Sequence, residues 1–250
     1  MLLRNKSGVY TLTMLADFKN LVCAFSTLQF GNMKPALEKQ ITQIEKNKEE
    51  FLKRLSLKKP ANVTAEQIHG SRVAYVNNNN SGRNIKGADG LATKEKNLFL
   101  MVFVADCLPI VAYDPKKEIV GIAHAGWKGT LSNIAQNLIL AFRDVGSETK
   151  NILVGFGPSI EFCHYEVGAD VAAKFCSSNL KNSILKSRSG KFFLDLKLAN
   201  TIQLLKTGVL KPNIDISIKA CTYENPDFYS LRRGDKNERF MAIMGMKNGN

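Results

Sequence analysis

The run LFLMVFVADCLPIVAYDPKKEIVGIAHAGWKG, Leu98 to Gly129, decides how this chain folds. Its first eight residues, Leu98–Ala105, are apolar without a break and close at Asp106. A run so short and so uniform predicts a buried strand. Asp114-Pro115 predicts a turn, and Glu118–Ala123 (EIVGIA) a second strand. Cys107 and His124 each follow directly on one of these strands. Sequential strands are often neighbours in space, so the two side chains are expected side by side at adjacent strand ends.

Working outward, residues 36–55 place Leu37, Ile41, Ile44, Phe51, Leu52 and Leu55 at helical spacing, with Pro35 suited to the first turn. Residues 77–84 read as a polar loop. Downstream, 131–142 predicts a helix with Thr130 as its N-cap, and Ile152–Phe156 a strand running into Gly157-Pro158. Asp195 suits the cap of the helix LKLANTIQLLKT, which Gly208 would stop. Ile214, Ile216 and Ile218 alternate as in a half-buried strand, and Phe240–Met246 reads as a terminal strand. No repeat or linker interrupts the 250 residues. Strands and helices mix without the regularity of a βαβ array, so the expectation is one α+β domain, 1–250, with mixed β-sheets.

Composition narrows the function classes. Apolar residues make up 44% and charged residues 23% of the chain, which excludes a disordered or collagen-like chain. Eight apolar residues cannot cross a membrane, which takes about 20, and the N-terminus lacks a signal-peptide h-region and cleavage site. Five cysteines, odd in number and without a CxxC, fit a reduced cytoplasmic protein. The net charge of +13 attracts polyanions. The cluster Lys34–Lys59 is interleaved with glutamates and reads as a solvated helix face. No nucleic-acid motif accompanies the charge, so phosphorylated or phosphate-using small molecules are the expected partners, with no membrane, nucleic acid or protein partner inferred. GxGxxG, P-loop and GxSxG are all missing.

Three segments set a ligand-type side chain beside turn residues: QIHG (Gln67–Gly70), ADCLP (Ala105–Pro109) and AHAGWKG (Ala123–Gly129). If His69, Cys107 and His124 converge, two imidazoles and a thiolate suit zinc and leave a fourth position open, as in catalytic sites. Otherwise they are two satisfied histidines and a buried cysteine, or Cys107 is a nucleophile with His124 as its base. His164, in CHYEVG, is either a fourth ligand or a surface histidine. Cys23, Cys163, Cys176 and Cys221 read as core or incidental residues. In CTYENPDFYSLRRGD, Arg232 and Arg233 either grip phosphate or carboxylate or sit on a solvated turn. Trp127 stacks on a planar ligand or packs in the core. Asp89 and Asp106 orient a metal-bound histidine or cap a turn.

Taken together, QIHGSRV, GADGLAT, ADCLPI, AHAGWKGT, GPSI followed by YEVG, and CTY…FYSLRRGD resemble the YfiH-type laccase-domain family. That family is also labelled multicopper polyphenol oxidase and purine nucleoside phosphorylase. The likeness runs in order from residue 63 to about 246 and is weak before that. Phe25-Ser26-Thr27 matches a family segment, but Leu28, Gln29 and Phe30 depart from it, and Lys128 stands where arginine is usual. The resemblance implies a single domain of mixed β-sheets layered with α-helices, and zinc on His69, Cys107 and His124. It also implies phosphorolysis of adenosine, inosine, guanosine and methylthioadenosine, with adenosine deamination alongside. Lys128, Arg232 and Arg233 would then hold phosphate, and Asp106 or Asp89 would carry the proton for deamination. Copper oxidation of phenols is the alternative metal chemistry. Laccases use about ten histidines to hold several coppers, and this chain has three. A metal-free cysteine hydrolase using Cys107 and His124, and a basic nucleic-acid-binding module, are the remaining alternatives.

Overall fold

The decisive run forms three strands where two were expected: Leu98–Val104, Leu108–Asp114 and Ile119–Ala125. The computed structural model describes every residue except 1, 6–7, 35–39, 188, 217–219 and 249–250. In chain order its strands begin with β1 (Leu2–Arg4), β2 (Tyr10–Leu12), β3 (Leu21–Phe25), β4 (Ala61–Ala65), β5 (Val73–Tyr75) and β6 (Asn84–Ile85). β7 (Gly90–Thr93), β8 (Leu98–Val104), β9 (Leu108–Asp114), β10 (Ile119–Ala125) and β11 (Leu153–Phe156) follow. The last are β12 (Glu166–Val167), β13 (Ile184–Lys186), β14 (Phe192–Leu194), β15 (Ile214–Asp215) and β16 (Phe240–Met246). The helices are α1 (Ile41–Arg54), α2 (Trp127–Leu131), α3 (Ile134–Arg143), α4 (Ala169–Cys176) and α5 (Leu196–Lys206).

Two mixed sheets carry the architecture. One runs β1-β2-β3-β16-β8-β4-β6 and the other β15-β11-β9-β10-β7-β5, while β12-β14-β13 form a small third sheet. Strand periodicity explains how β8 serves two cores at once. Leu98, Leu100, Val102 and Val104 join Val111, Val120 and Ile122 of the second sheet in a core between the sheets. Phe99, Met101 and Phe103 point the other way and pack with Phe51 and Leu52 of α1. β9 and β10 behave likewise: Ile110, Ala112 and Ala123 face Leu138 and Phe142 of α3 and Leu204 of α5. The layers are therefore α1, sheet, sheet, and α3 with α5. A strand covered on both faces needs no polar alternation, which is why Leu98–Val104 is apolar throughout. The α+β class with mixed sheets and layered helices is the expected one.

Several local expectations shift. β8 and β10 do not pair; they lie in different sheets, and β10 pairs antiparallel with the unexpected β9. Pro109, which argued for a turn, is the second residue of β9 and pairs with His124, so His124 sits within β10 and not after it. Thr130 lies inside α2, and the expected helix 131–142 starts at Ile134 behind Asn133, whose left-handed φ of 68° breaks the helical path. Ile216 lies outside any strand, and Ile218, like Pro35 and Leu37, lies outside the described residues. Asp195 caps α5 through the Leu198 amide at 2.8 Å, and Gly208 ends the segment at φ 93°. β16 is a strand as expected, central in the first sheet between β3 and β8.

Candidate active site

Asp89 organises the site. The carboxylate is fully buried at the entry to β7 and accepts hydrogen bonds from three successive amides, Ile68 (3.1 Å), His69 (2.9 Å) and Gly70 (2.7 Å). The Nδ1 of His124 donates to the same carboxylate at 2.9 Å. One side chain thus shapes the Gln67–Gly70 turn and aims the His124 ring. The two roles the sequence left open for Asp89, capping a turn and orienting a histidine, are both filled. Burial alone would raise its pKa, but the His124 bond and the Gly70 and His69 amides outweigh that and hold it below the usual carboxylate range.

With Nδ1 committed to Asp89, His124 has Nε2 left for Cys107, which lies one residue before β9. The ligand atoms of His69, Cys107 and His124 all lie within 4.8 Å of one another, and the two imidazoles meet edge to face at 4.8 Å. Burial would push the Cys107 thiol up, but the His124 charge and hydrogen bonds from both imidazoles bring it down to about 6. Burial would push His124 down, but the Cys107 charge and the Asp89 bond raise it to about 9. The pair is a thiolate–imidazolium couple near neutral pH. Gly126 stands opposite: a Cβ there would sit 2.9 Å from His69 Nδ1 and 3.1 Å from Cys107 Sγ. The donors therefore face a small cradle that glycine keeps open. Soft thiolate plus two imidazoles, at this spacing and around this space, fit a zinc-sized ion.

The cluster borders a cavity of about 350 Å³. Trp127, Lys128, Tyr165, Val171, Asp106 and Arg232 are among its walls. Lys128 Nζ lies 5.6 Å from the Trp127 ring centroid and Lys174 Nζ 5.4 Å. The Arg232 guanidinium covers the Tyr165 ring at 5.0 Å and donates to the Glu166 carbonyl at 2.8 Å. Burial, followed by the Cys107 charge, pushes the Tyr165 hydroxyl well above its ordinary pKa, so it stays protonated.

Asp106 takes a left-handed φ of 77°, and both its carboxylate oxygens are engaged. One accepts from Thr222 Oγ1 at 2.6 Å, the other from the Arg232 amide at 2.8 Å. It anchors the 222–232 loop beside the cavity. The arginine pair divides: Arg232 lines the cavity, whereas Arg233 is absent from its lining. The Arg233 guanidinium donates to the carbonyls of Thr222 and Phe228 and to Asp235, tying its own loop together. His164 does not join the other three donors; it lies with Cys163, Cys221 and Glu224. Trp127 packs against the α3 and α5 core, one of the two roles expected of it, and also lines the cavity. The sequence reading assigned no role to Tyr165, Val171 or Gly126. The signal for Tyr165 lay in the YEVG motif, quoted for likeness alone.

A family model described as multi-copper polyphenol oxidoreductase laccase matches residues 24–247. The chain belongs to that family. Among family relatives, the purine nucleoside phosphorylase YlmD of Bacillus subtilis is 36% identical over 197 residues, covering 74% of this chain and 70% of that protein. The adenosine deaminase RL5, from an unknown prokaryotic organism, is 33% identical over 181 residues, covering 68% and 69%. The crystal structure of the hypothetical protein YfiH of Bacillus licheniformis aligns with a TM-score of 0.89 at 27% identity, covering 98% of this chain and 99% of that one.

Proposed function

We propose that this chain is a zinc-dependent purine nucleoside phosphorylase, working as a single domain over residues 1–250 in a reducing cytoplasm. Its substrates would be adenosine, inosine, guanosine and methylthioadenosine, with adenosine deamination as a side activity. The observation that carries the reading is the His69–Cys107–His124 cluster opening onto a cavity that offers both aromatic faces and cations. The relatives named for phosphorolysis and deamination support it. No described helix is long and apolar enough to cross a membrane.

Zinc held by these three residues would supply Lewis acidity toward a substrate oxygen or nitrogen. The chain's own groups do the rest. Trp127 offers a ring face to a planar base. Arg232, whose guanidinium has further N–H groups beyond its bond to Glu166, and Lys128 hold phosphate near the sugar. The Tyr165 hydroxyl, kept protonated, donates a hydrogen bond to the departing base. Asp89 keeps His124 in one orientation, and Asp106 acts as a positioning residue through Thr222 and Arg232. Phosphorolysis asks chiefly for such placement and charge stabilisation. Zinc-replete protein given adenosine and phosphate is expected to yield adenine and ribose 1-phosphate. Cys107→Ala should abolish turnover and Arg232→Ala should raise KM for phosphate; unchanged turnover in Cys107→Ala overturns the proposal.

One observation favours a second reading. Cys107, His124 and Asp89 form a thiolate–imidazolium–carboxylate series, the arrangement of a cysteine nucleophile with an oriented base. Under that metal-free reading, zinc would inhibit the protein, and alkylation of Cys107 would abolish hydrolysis. Under the zinc reading, zinc protects Cys107 from alkylation and chelation removes activity.

A further inference from the structure

A second cluster of ligand-type side chains stands apart from the first. His164 Nδ1 lies 3.2 Å from Cys163 Sγ and 3.6 Å from Cys221 Sγ. The other ring nitrogen, Nε2, lies 3.6 Å from Glu224 Oε1, and Tyr223 stacks on the ring at 4.7 Å and 20°. Cys221 is buried, and its sulfur accepts the Glu161 amide at 3.4 Å. With Nε2–H turned to Glu224, Nδ1 carries the ring's lone pair. That single lone pair cannot accept from two thiols, yet two sulfurs face it.

From these contacts we propose a second metal site, in which Cys163 Sγ, Cys221 Sγ and His164 Nδ1 bind one zinc ion. Bond lengths of about 2.3 Å to sulfur and about 2.0–2.1 Å to nitrogen in a tetrahedron set N···S separations of roughly 3.5–3.6 Å. The two observed N···S separations, 3.2 and 3.6 Å, lie within a few tenths of an ångström of these. Cys221 stands outside the Cys163–His164–Glu224 group whose donor atoms all lie within 4.8 Å of one another, so the exposed Cys163 side chain would turn toward Cys221 as the ion binds. Glu224 on the far nitrogen makes a carboxylate–histidine–metal series, which fixes the tautomer and raises ligand basicity. The Glu161 amide points at Cys221 Sγ, and the exposed side of Cys163 gives an entry path for the ion. The site is independent of the phosphorylase reading. Its place in the fold gives it a task. Cys163 and His164 lead into Tyr165, and Cys221 precedes Thr222, which binds Asp106. The ion would staple the segment that carries the cavity-lining Tyr165 to the one that holds Asp106 in the cavity wall.

The test is a titration of metal-free, reduced protein with zinc chloride, followed by desalting and elemental analysis. Two equivalents per chain are expected for the native sequence and one for Cys107→Ala. One is also expected for Cys163→Ser, an exposed position where the fold is retained. Cobalt(II) in Cys107→Ala protein should show thiolate charge-transfer absorption that Cys163→Ser added to it removes. Zinc should slow alkylation of Cys163 in the otherwise native chain. No zinc bound by Cys107→Ala, alkylation of Cys163 at the same rate with and without zinc, or a Cys163–Cys221 disulfide that persists in reductant would each overturn the site. None of these readouts uses nucleoside turnover, so the staple and the phosphorylase proposal fail separately.

Discussion

At the scale of single residues, Asp89 shows how one buried carboxylate sets a site. Its four donors, three amides and an imidazole, use its oxygens fully. Asp89→Asn keeps the shape but turns a donor toward donors. It is expected to weaken zinc binding by about 10–100-fold, measured by competition with a chelator. The Cys107–His124 couple makes a pH prediction whose sign needs both partners. Alone, Cys107, lowered from 9.0 to about 6, would add stability above 9 that is lost as pH falls through about 6. Alone, His124, raised from 6.5 to about 9, would add stability below 6.5 that is lost as pH rises through about 9. Together, the proton missing from the thiol is the one held by the imidazole. Folded and unfolded chains then bind equal numbers of protons from about 6.5 to about 9, and linkage gives no slope there. The thermal midpoint of zinc-free protein should therefore stay flat across that window as far as this pair is concerned. The alkylation rate of Cys107, followed by mass spectrometry, should instead titrate near 6. A midpoint near 9 would show that the ion pair does not form.

At the scale of elements, the site depends on how closely three pieces of backbone approach. β9 and β10 pair so that His124 lies opposite Pro109 and Ala125 opposite Leu108, which brings Cys107 across from Gly126. α2 then turns back over the His69 segment, and a Cβ on Gly129 would sit 2.6 Å from the Gly70 carbonyl oxygen. That contact is with backbone, which cannot swing aside. Gly129→Ala is expected to cost about 1–3 kcal/mol in unfolding free energy and to weaken zinc binding by displacing the His69 turn. Denaturant melts with and without zinc separate the two effects. Two glycines three residues apart in AHAGWKG were legible as a motif. That both make room for the QIHG turn was not, because the turn arrives from more than fifty residues away in sequence.

At the scale of the molecule, the proposed zinc would bind only where distant segments have been brought together, so its binding and folding would be linked. At free zinc about 100 times Kd, the native state gains about 2.7 kcal/mol for one site. At roughly 2–4 °C per kcal/mol for a chain of this size, chelation should lower the melting midpoint by about 5–11 °C. Scanning calorimetry of chelated and zinc-replete protein checks this, and a chelator-insensitive midpoint would argue against a bound metal. The layered architecture also explains which parts of the fold could be read in advance. Leu98–Val104 and Phe240–Met246 were readable because burial on both faces demands unbroken apolar runs. β9 was hidden by Pro109 and by the Asp106-Cys107 turn, local signals that strand pairing overrides.

The amino-acid order alone determined the class of fold and the best-defined strands and helices, and it offered His69, Cys107 and His124 as ligand-type residues without deciding whether they meet. Those properties rest on short-range patterning and on side-chain chemistry. Tertiary structure alone decided that Asp89 serves two histidines, that Arg232 faces the cavity while Arg233 binds its own loop, and that Tyr165 forms a wall. It also decided that His164 belongs with Cys163 and Cys221. Each of these turns on which distant backbones lie within a few ångströms, and that distance is set by sheet pairing and layer packing.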